Sequence, residues 1–255
     1  MSWGAILLLL GSAYAAGAVN SVAGGGSLLT FPSLLAAGLS PLAANATSTV
    51  ALVPGSASAF WQYRHKLTGL DRATLWVVGV TSLVGGVIGA WLVISAGDAV
   101  FAALVPWLIL GATALFAVSD PLRAWMARRG GRGPSGRSRL IALGALQLAV
   151  SIYGGFFGAG IGILMLGAFA LAGETDVHRS NALKTLAAVA INGVAAVYFA
   201  GAGRVDWPIA LMMGVSSTLG AAQGAKLALR FGPKVVRWTV VAVGVGIGVW
   251  QLLRR

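Results

Sequence analysis

Cysteine is absent from this sequence, and charged residues are scarce, at 9% of 255 residues. The lack of cysteine excludes disulfide bonds and thiolate metal sites. Soluble domains carry about 25% charged residues, whereas 58% of this chain is hydrophobic. Apolar runs long enough to cross a bilayer as helices recur along the sequence. The composition therefore predicts an all-α, polytopic integral membrane protein that has the lipid bilayer as its surroundings.

Residues that perform catalysis or hold cofactors are also missing. The only two histidines, His65 and His178, stand in predicted loops without a metal-ligand set around them. No paired acids or activated nucleophile accompany them. The glycines before Ser27 are not followed by the lysine of a phosphate-binding loop. We therefore expect no enzymatic activity, no metal, no cofactor and no direct use of ATP.

Acidic residues are few beside basic ones, since 6 Asp and Glu against 18 Lys and Arg give a net charge of +12. In a soluble protein such an excess would suggest a nucleic-acid partner. In a membrane protein, basic loops fix the orientation and meet anionic lipid, so we expect no nucleic-acid partner. An anionic substrate is compatible with the same excess of positive charge.

A glycine-rich break interrupts the first apolar region. No charged side chain occurs from Met1 to Tyr63, and three consecutive glycines, Gly24, Gly25 and Gly26, lie inside this run. Consecutive glycines destabilise a helix interior. Within hydrocarbon, a broken helix is tolerated only where it is buried in protein or lines a cavity. The break therefore predicts a binding site in the membrane.

The same break occurs again in the second half of the chain, as Gly158, Gly160 and Gly162. Adding 136 to a residue number in the first half gives its counterpart, and a single-residue gap reduces this offset to 135 further along. The correspondences include Gly24 with Gly160, Gly26 with Gly162, Asn45 with Asn181, and Gly85 with Gly220. Two related halves that are broken at the same place indicate a secondary transporter's binding site.

The chain divides into membrane repeat 1 (residues 1–120), a basic cytoplasmic linker (121–139) and membrane repeat 2 (140–255). Each repeat is predicted to form a glycine-broken helical hairpin followed by three transmembrane helices. The predicted helices are Gly4–Val22, Leu28–Ala37, Leu42–Tyr63, Ala73–Ser95, Ala99–Ser119, Leu140–Phe157, Ile163–Ala172, Asn181–Phe199, Trp207–Ala225 and Val235–Leu253. The spacing of Gly85, Gly86 and Gly89 is typical of helices that approach each other closely.

Two topologies fit these halves. If each glycine-broken region is one kinked crossing, the basic residues divide 12 against 6 between the two sides; if each enters and returns as a hairpin, they divide 15 against 3. Positive charges concentrate on the cytoplasmic side, so the hairpin topology fits better. It inverts the second half relative to the first and brings both glycine tips together near the membrane centre.

The chain resembles the TauE/SafE family, membrane proteins grouped as sulfite and organosulfonate exporters. The features that carry the resemblance are Ala23-Gly24-Gly25-Gly26-Ser27 followed by Pro32, the cluster Ala44-Asn45-Ala46-Thr47-Ser48, and the degenerate second copy. The resemblance covers nearly the whole chain. In the second half, Ala168 stands where Pro32 would repeat, and Lys184 replaces Ser48. The resemblance implies export of a small sulfur-containing anion across the inner (cytoplasmic) membrane.

A membrane site for an oxyanion needs hydrogen-bond donors and a positive field. Helix N-termini, glycine backbones, hydroxyls, amides and a lysine supply them. The predicted substrate-binding residues are Gly24, Gly25, Gly26, Ser27, Asn45, Thr47, Ser48, Gly158, Gly160, Gly162, Asn181 and Lys184.

Each of these residues also has a structural interpretation. The glycines can serve only tight helix packing. Asn45, and by symmetry Asn181, can be a helix N-cap. Lys184 can extend to the cytoplasmic edge of the membrane. Two further polar residues, Asn192 and Gln223, are explained by hydrogen bonds between buried helices.

The sequence thus favours a secondary transporter that exports sulfite or an organosulfonate. An anion channel would use similar donors, and a membrane assembly factor that transports nothing is the third alternative. The small anionic substrate is the expected partner. The oligomeric state stays open, with a homodimer among the alternatives.

Overall fold

The computed structural model describes residues 1–22, 24–119, 121, 128, 136–174, 176–231 and 233–253. Within these ranges the secondary structure is helical. The helices are α1 (Trp3–Val22), α2 (Ser27–Ala36), α3 (Pro41–Tyr63), a 3₁₀ turn (Arg64–Leu67), α4 (Arg72–Ala117), α5 (Gly136–Phe156), α6 (Ile161–Leu171), α7 (Val177–Gly201), α8 (Trp207–Phe231) and α9 (Pro233–Leu253).

Several of these helices can cross a bilayer by length and composition. Among the described residues, the spans that qualify are Trp3–Ser21, Arg72–Ala117, Gly136–Phe156 and His178–Gly201. A hydrocarbon core of about 30 Å needs about 20 apolar residues in a helix. The prediction of an all-α polytopic membrane protein is confirmed.

The first glycine-broken region folds back on itself. The hydroxyls of Ser12 in α1 and Ser33 in α2 are 2.8 Å apart, although the break lies between them. Nearer the break, the backbone N–H of Gly26 donates to Asn20 Oδ1 at 2.7 Å. Because the middle of α1 contacts the later part of α2 across the break, the two helices form an antiparallel hairpin. Residues 24–26 are its tip, called here the first tip.

The second glycine-broken region is also a hairpin. The guanidinium of Arg139, near the start of α5, donates to the carbonyl of Ala172 after the end of α6, at 3.0 Å. At the turn, the Tyr153 hydroxyl donates to the carbonyl of Ala159 at 2.8 Å. Residues 158–160 form this second tip. Both regions therefore have the hairpin geometry that the charge distribution favoured, and the alternative of a single kinked crossing is wrong.

Helix α4 corrects one prediction. Ala73–Ser95 and Ala99–Ser119 were expected as two separate spans, but α4 runs through both as Arg72–Ala117. Gly97 alone has a non-helical conformation inside it, with φ 76° and ψ 171°. A positive φ is strained for residues that carry a Cβ, so glycine permits this sharp change of direction. The two arms of α4 still provide two membrane crossings.

Two clusters of ionic contacts mark opposite ends of the molecule. At one, the Asp98 end, Arg204 pairs with Asp98 at 3.2 Å. At the other, the Arg139 end, Arg139 lies 3.8 Å from Asp71 and 3.6 Å from Glu174. The first arm of α4 joins Asp71 to the bend before Asp98, and at 1.5 Å per residue it is about 37 Å long. The arm is thus long enough to separate the clusters by the thickness of a bilayer.

Aspartate side chains cap the N-termini of two helices at the Arg139 end. The Asp71 side chain accepts a hydrogen bond from the backbone N–H of Thr74, and this bond lowers the pKa of Asp71 below its ordinary value. Asp176 accepts from the backbone N–H groups of Arg179 and His178, which lowers the pKa of Asp176 in the same way. These N-caps satisfy helix N–H groups that lack an intrahelical acceptor.

The two halves pack against each other reciprocally. Helix α1 of the first half packs on α8 of the second, and α5 of the second half packs on α4 of the first. Glycines allow both approaches: a Cβ on Gly220 would lie 1.9 Å from the Tyr14 carbonyl oxygen, and one on Gly85 would lie 2.5 Å from the Ser151 Cβ. The close approach predicted for the glycines of α4 is confirmed.

Some predictions fall outside the described residues. They are Ala23 of the first glycine motif, most of the basic linker at 121–139, and Arg254 and Arg255 of the tail. The division into repeats at residues 120 and 140 stays a prediction, as does the orientation of the halves in the membrane.

Candidate anion site

The two glycine tips touch each other. A Cβ on Gly24 would lie 2.7 Å from Gly162 Cα, and one on Gly25 would lie 3.8 Å from Gly160 Cα. Gly24, Gly25 and Gly160 all have positive φ, a conformation that side chains disfavour. Helices α2 and α6 begin at these tips and contain 10 and 11 residues. At about 1.5 Å per residue, each tip therefore lies about half a bilayer deep.

Backbone donors converge at this contact. Helix α2 begins at Ser27 and α6 begins at Ile161, so the N-terminal, electropositive ends of both meet. Within the described chain, the backbone N–H groups of Gly25, Ser27 and Gly160 make no hydrogen bond. Free N–H groups at a helix N-terminus bind anions. The tips thus supply the type of donor that an oxyanion needs.

A cavity of about 30 Å³ lies beside the tips. In this measure a single water needs roughly 10–15 Å³, so the cavity holds a few atoms. Six of the twelve predicted site residues line it: Gly24, Gly25, Ser27, Gly158, Gly162 and Lys184.

Lys184 is the charged residue among the described residues that line this cavity. Its side chain is 2% exposed, and it is the one charged residue that is buried among those described. It lies about two turns into α7, which begins at Val177. The predicted helix Asn181–Phe199 thus begins four residues earlier than expected. The burial of Lys184 favours the cavity over the alternative in which its side chain extends to the membrane edge, because such a side chain would be exposed. By comparison, the side chains of Arg179 and Arg204 are 44% and 45% exposed.

The polar cluster of α3 makes contacts elsewhere. Asn45 donates its amide to the Phe156 carbonyl at 3.0 Å. Thr47 accepts from the backbone N–H of Asp206 at 3.0 Å, and the Ser48 hydroxyl bonds to Thr30. None of the three lines the cavity. They attach α3 to neighbouring segments, and the N-cap of α3 is Ser40, so the N-cap interpretation of Asn45 is wrong.

Three further predicted residues lie next to the cavity lining without belonging to it. A Cβ on Gly26 would lie 2.5 Å from the Ala16 carbonyl oxygen, and one on Gly160 would lie 3.5 Å from the Leu115 side chain. Asn181 is half-buried, one turn before Lys184. Gly26 therefore permits a close packing contact, whereas Gly160 has room for a Cβ and its glycine suits the positive φ of 77°.

Four polar residues of the lining were not among the predicted site residues: Asn20, Ser56, Thr185 and Asn192. Asn192 was interpreted as an interhelical hydrogen-bonding residue, but its side chain makes no hydrogen bond within the described residues. Gln223, in contrast, does bond between helices, through Tyr14 at 2.7 Å, and it is exposed rather than buried. The repeat offset of 136 pairs Ser56 with Asn192, and this signal could have drawn attention to both.

Aromatic rings fill the space on the other side of the tips. Phe31 of α2 packs edge-on against Phe157 at 5.3 Å between ring centroids, and Phe101 packs against Phe156 at 5.7 Å. Phe101 lies three residues after Asp98. Ser56 and Lys184, on the cavity side, each lie about two turns from the helix ends that face the Arg139 end. The cavity is therefore nearer the Arg139 end, and the aromatic cluster separates it from the Asp98 end.

This arrangement has the features of a transporter: a small cavity with polar side chains in its lining, beside the tips of two helical hairpins. A model of the family described as sulfite exporter TauE/SafE matches residues 9–250. The chain belongs to the TauE/SafE family.

Relatives of this TauE/SafE protein match it over most of their length. "Probable membrane transporter protein YfcA" of Escherichia coli K12 is 33% identical over 237 residues, which cover 89% of this chain and 82% of the relative. A "Probable membrane transporter protein" of Haemophilus influenzae is 28% identical over 241 residues, which cover 93% and 89%. "Probable membrane transporter protein ORF9" of a Sinorhizobium species is 29% identical over 245 residues, which cover 96% and 91%. The chain is thus a multi-pass membrane transporter.

Proposed function

We propose that this protein is a secondary transporter that exports a small sulfur-containing anion, sulfite or an organosulfonate, across the cytoplasmic membrane. The observation that carries the proposal is the buried Lys184 in a cavity beside two helix N-termini. An ammonium group inside a low-dielectric cavity attracts an anion strongly. The backbone N–H groups at the tips add hydrogen-bond donors for the same anion.

The orientation follows from the distribution of basic residues. In the hairpin topology predicted from the sequence, 15 of the 18 lysines and arginines, Arg139 among them, belong to one side of the membrane, and 3, Arg204 among them, belong to the other. By the positive-inside rule, we assign the Arg139 end to the cytoplasm. The cavity lies nearer that end, so a cytoplasmic anion reaches it first. In this orientation the second half is inverted relative to the first.

The membrane potential favours the export of an anion. An anion that leaves a cell with a negative interior gains about 2.3 kcal/mol per charge per 100 mV. None of the described residues that line the cavity is acidic, and the proposal requires no proton relay. The potential and the anion gradient suffice to drive export.

Two observations favour a carrier over the alternatives. A channel needs a continuous path, whereas the rings of Phe31, Phe101, Phe156 and Phe157 close this cavity toward the Asp98 end. An assembly factor that transports nothing has no need of a buried lysine that lines a cavity. A carrier opens such a cavity to one side at a time.

The test is uptake of radiolabelled sulfite into liposomes that contain purified protein, with unlabelled sulfate and methanesulfonate as competitors. Lys184→Ala is compared with Lys66→Ala, a matched control because Lys66 is an exposed lysine outside the cavity. We expect saturable flux that falls at least about tenfold in Lys184→Ala, because a charge-assisted hydrogen bond is lost. The control should transport normally.

Flux that survives in Lys184→Ala would remove this residue from the site. Flux that rises linearly with sulfite concentration, without saturation, would favour a channel. The absence of flux for all the tested anions would refute the substrate assignment.

A further inference from the structure

Ser56 is a buried hydroxyl residue of α3 that, in the part of the chain the structure describes, lacks the hydrogen bond typical of a helix hydroxyl. Hydroxyls inside helices usually bond to a backbone carbonyl three or four residues earlier. In this protein Ser21, Thr49 and Thr81 do so, at 2.6–2.9 Å. Ser56 is 5% exposed and lines the cavity, yet its hydroxyl makes no hydrogen bond in the described structure. A buried hydroxyl without a protein partner requires one from water or a ligand.

Asn192 stands at the equivalent position of the second half, since 56 plus 136 is 192. It also lines the cavity and forms no side-chain hydrogen bond among the described residues. The two related halves thus each supply one neutral donor from the long helix that follows the hairpin, Ser56 from α3 and Asn192 from α7. Their partner is to be found in the cavity that both line.

Among the described residues that line the cavity, the charge is a single positive unit. Lys184 is the only ionisable residue of these 13. One ammonium compensates one negative charge. A second negative charge on the ligand would be buried with neutral donors only, and an uncompensated buried charge is strongly disfavoured.

We infer that the cavity selects a singly charged, tetrahedral oxyanion, such as a sulfonate or hydrogensulfite, over a doubly charged one such as sulfate, with Ser56 and Asn192 as the neutral donors that orient it. This inference rests on the proposed function for the identity of the site. It adds the charge state of the substrate and two residues that determine specificity.

The test is equilibrium binding to the full-length protein in nanodiscs, by isothermal titration calorimetry at neutral pH. Methanesulfonate and sulfate are the probes, because both are tetrahedral at sulfur and small but differ by one unit of charge. We expect methanesulfonate to bind at least about tenfold more tightly, since one buried charge is left uncompensated in the sulfate complex. Equal or tighter binding of sulfate would overturn the inference.

Two variants test whether Ser56 and Asn192 contact the bound anion. Ser56→Ala should weaken methanesulfonate binding by about tenfold or more, because a hydrogen bond to a charged group is lost. Ser58→Ala is its matched control, on the same helix but outside the cavity lining. Asn192→Lys adds a second positive charge, and the ratio of sulfate to methanesulfonate affinity should rise by about tenfold. Unchanged affinities in Ser56→Ala, or an unchanged ratio in an Asn192→Lys protein that still binds either anion, would remove these residues from the site.

The binding and transport experiments distinguish a failure of the charge-selection inference from a failure of the proposed function. If the wild-type protein binds methanesulfonate with the expected preference but carries no anion in liposomes, the charge selection holds and the transport proposal is refuted. If transport occurs but sulfate binds as well as methanesulfonate, the transport proposal stands and the charge selection is refuted. Failure of both anions to bind refutes the site.

Discussion

The contact between the glycine tips makes a strong prediction for Gly24→Ala. Gly24 has φ +77°, and a non-glycine residue in that left-handed region costs about 1–2 kcal/mol. The new Cβ would also lie 2.7 Å from Gly162 Cα, whereas unstrained carbon contacts are about 3.5–4.0 Å. The tips must therefore separate by about 1 Å, and overpacking of this kind costs about 1–3 kcal/mol. Gly24→Ala should therefore lower the stability of the protein by about 2–5 kcal/mol in total.

Gly38→Ala is the matched control for this change. Gly38 has φ +96°, but a Cβ there would meet nothing within 4 Å. Gly38→Ala therefore introduces the backbone strain without a steric clash between the hairpins, and it should lower the stability of the protein by only about 1–2 kcal/mol. Gly38 also lies outside the cavity lining, so transport should persist.

Thermal unfolding in detergent, followed by size-exclusion chromatography, measures the stability of both variants, and sulfite uptake into liposomes measures function. We expect Gly24→Ala to melt at a clearly lower temperature than Gly38→Ala and to lose most of its uptake. Equal melting temperatures for the two variants would refute the close contact between the tips. Normal uptake in a destabilised Gly24→Ala would separate that contact from the transport site.

Two further predictions concern packing and pH. Gly220→Ala should destabilise the protein by about 1–3 kcal/mol by overpacking, because its Cβ would meet the Tyr14 backbone. Gly11→Ala is the control and should not destabilise the protein, because a Cβ there meets nothing within 4 Å. Equal melting temperatures for the two variants would contradict the α1–α8 contact. The pKa of Asp71 is held below its ordinary value, mainly by the hydrogen bond from the Thr74 N–H. The stabilising effect of this carboxylate is therefore complete above the ordinary pKa and is lost as the pH falls through the lower folded-state pKa. Asp71→Asn, whose amide also caps helices, should therefore lose less stability than wild type in melting curves taken from neutral to strongly acidic pH, and an identical pH profile would refute this role.

Helix positions were predictable because the signals are local. Apolar length, Ser40-Pro41 before α3, and glycines at the breaks place most helix ends within two residues of those observed. The continuity of α4 was not predictable in this way. Glycine at position 97 gives the same sequence signal for a loop between two helices as for a bend inside one, and only the positive φ distinguishes them.

Half of the candidate site followed from the sequence, because the repeat identified both glycine tips and the position of Lys184. The polar cluster around Asn45 was misleading, since an amide or hydroxyl in a membrane helix serves a neighbouring backbone as well as it serves a ligand. Ser56 gave no local signal at all. Its importance depends on the direction in which α3 passes the tips, and this direction is a property of the tertiary structure.

The reciprocal packing of the two halves has a consequence for synthesis. Gly17 in α1 fits against the Ser217 backbone, and these residues are separated by 200 positions. When α1 leaves the ribosome, the surface it needs has not yet been translated. The first half must therefore wait in the membrane as loosely associated helices, and the native contacts of both halves form only after α8 has been inserted. A ribosome that stalls in the second half would leave an incomplete protein with its glycine faces open to lipid, a state that membrane quality control can recognise.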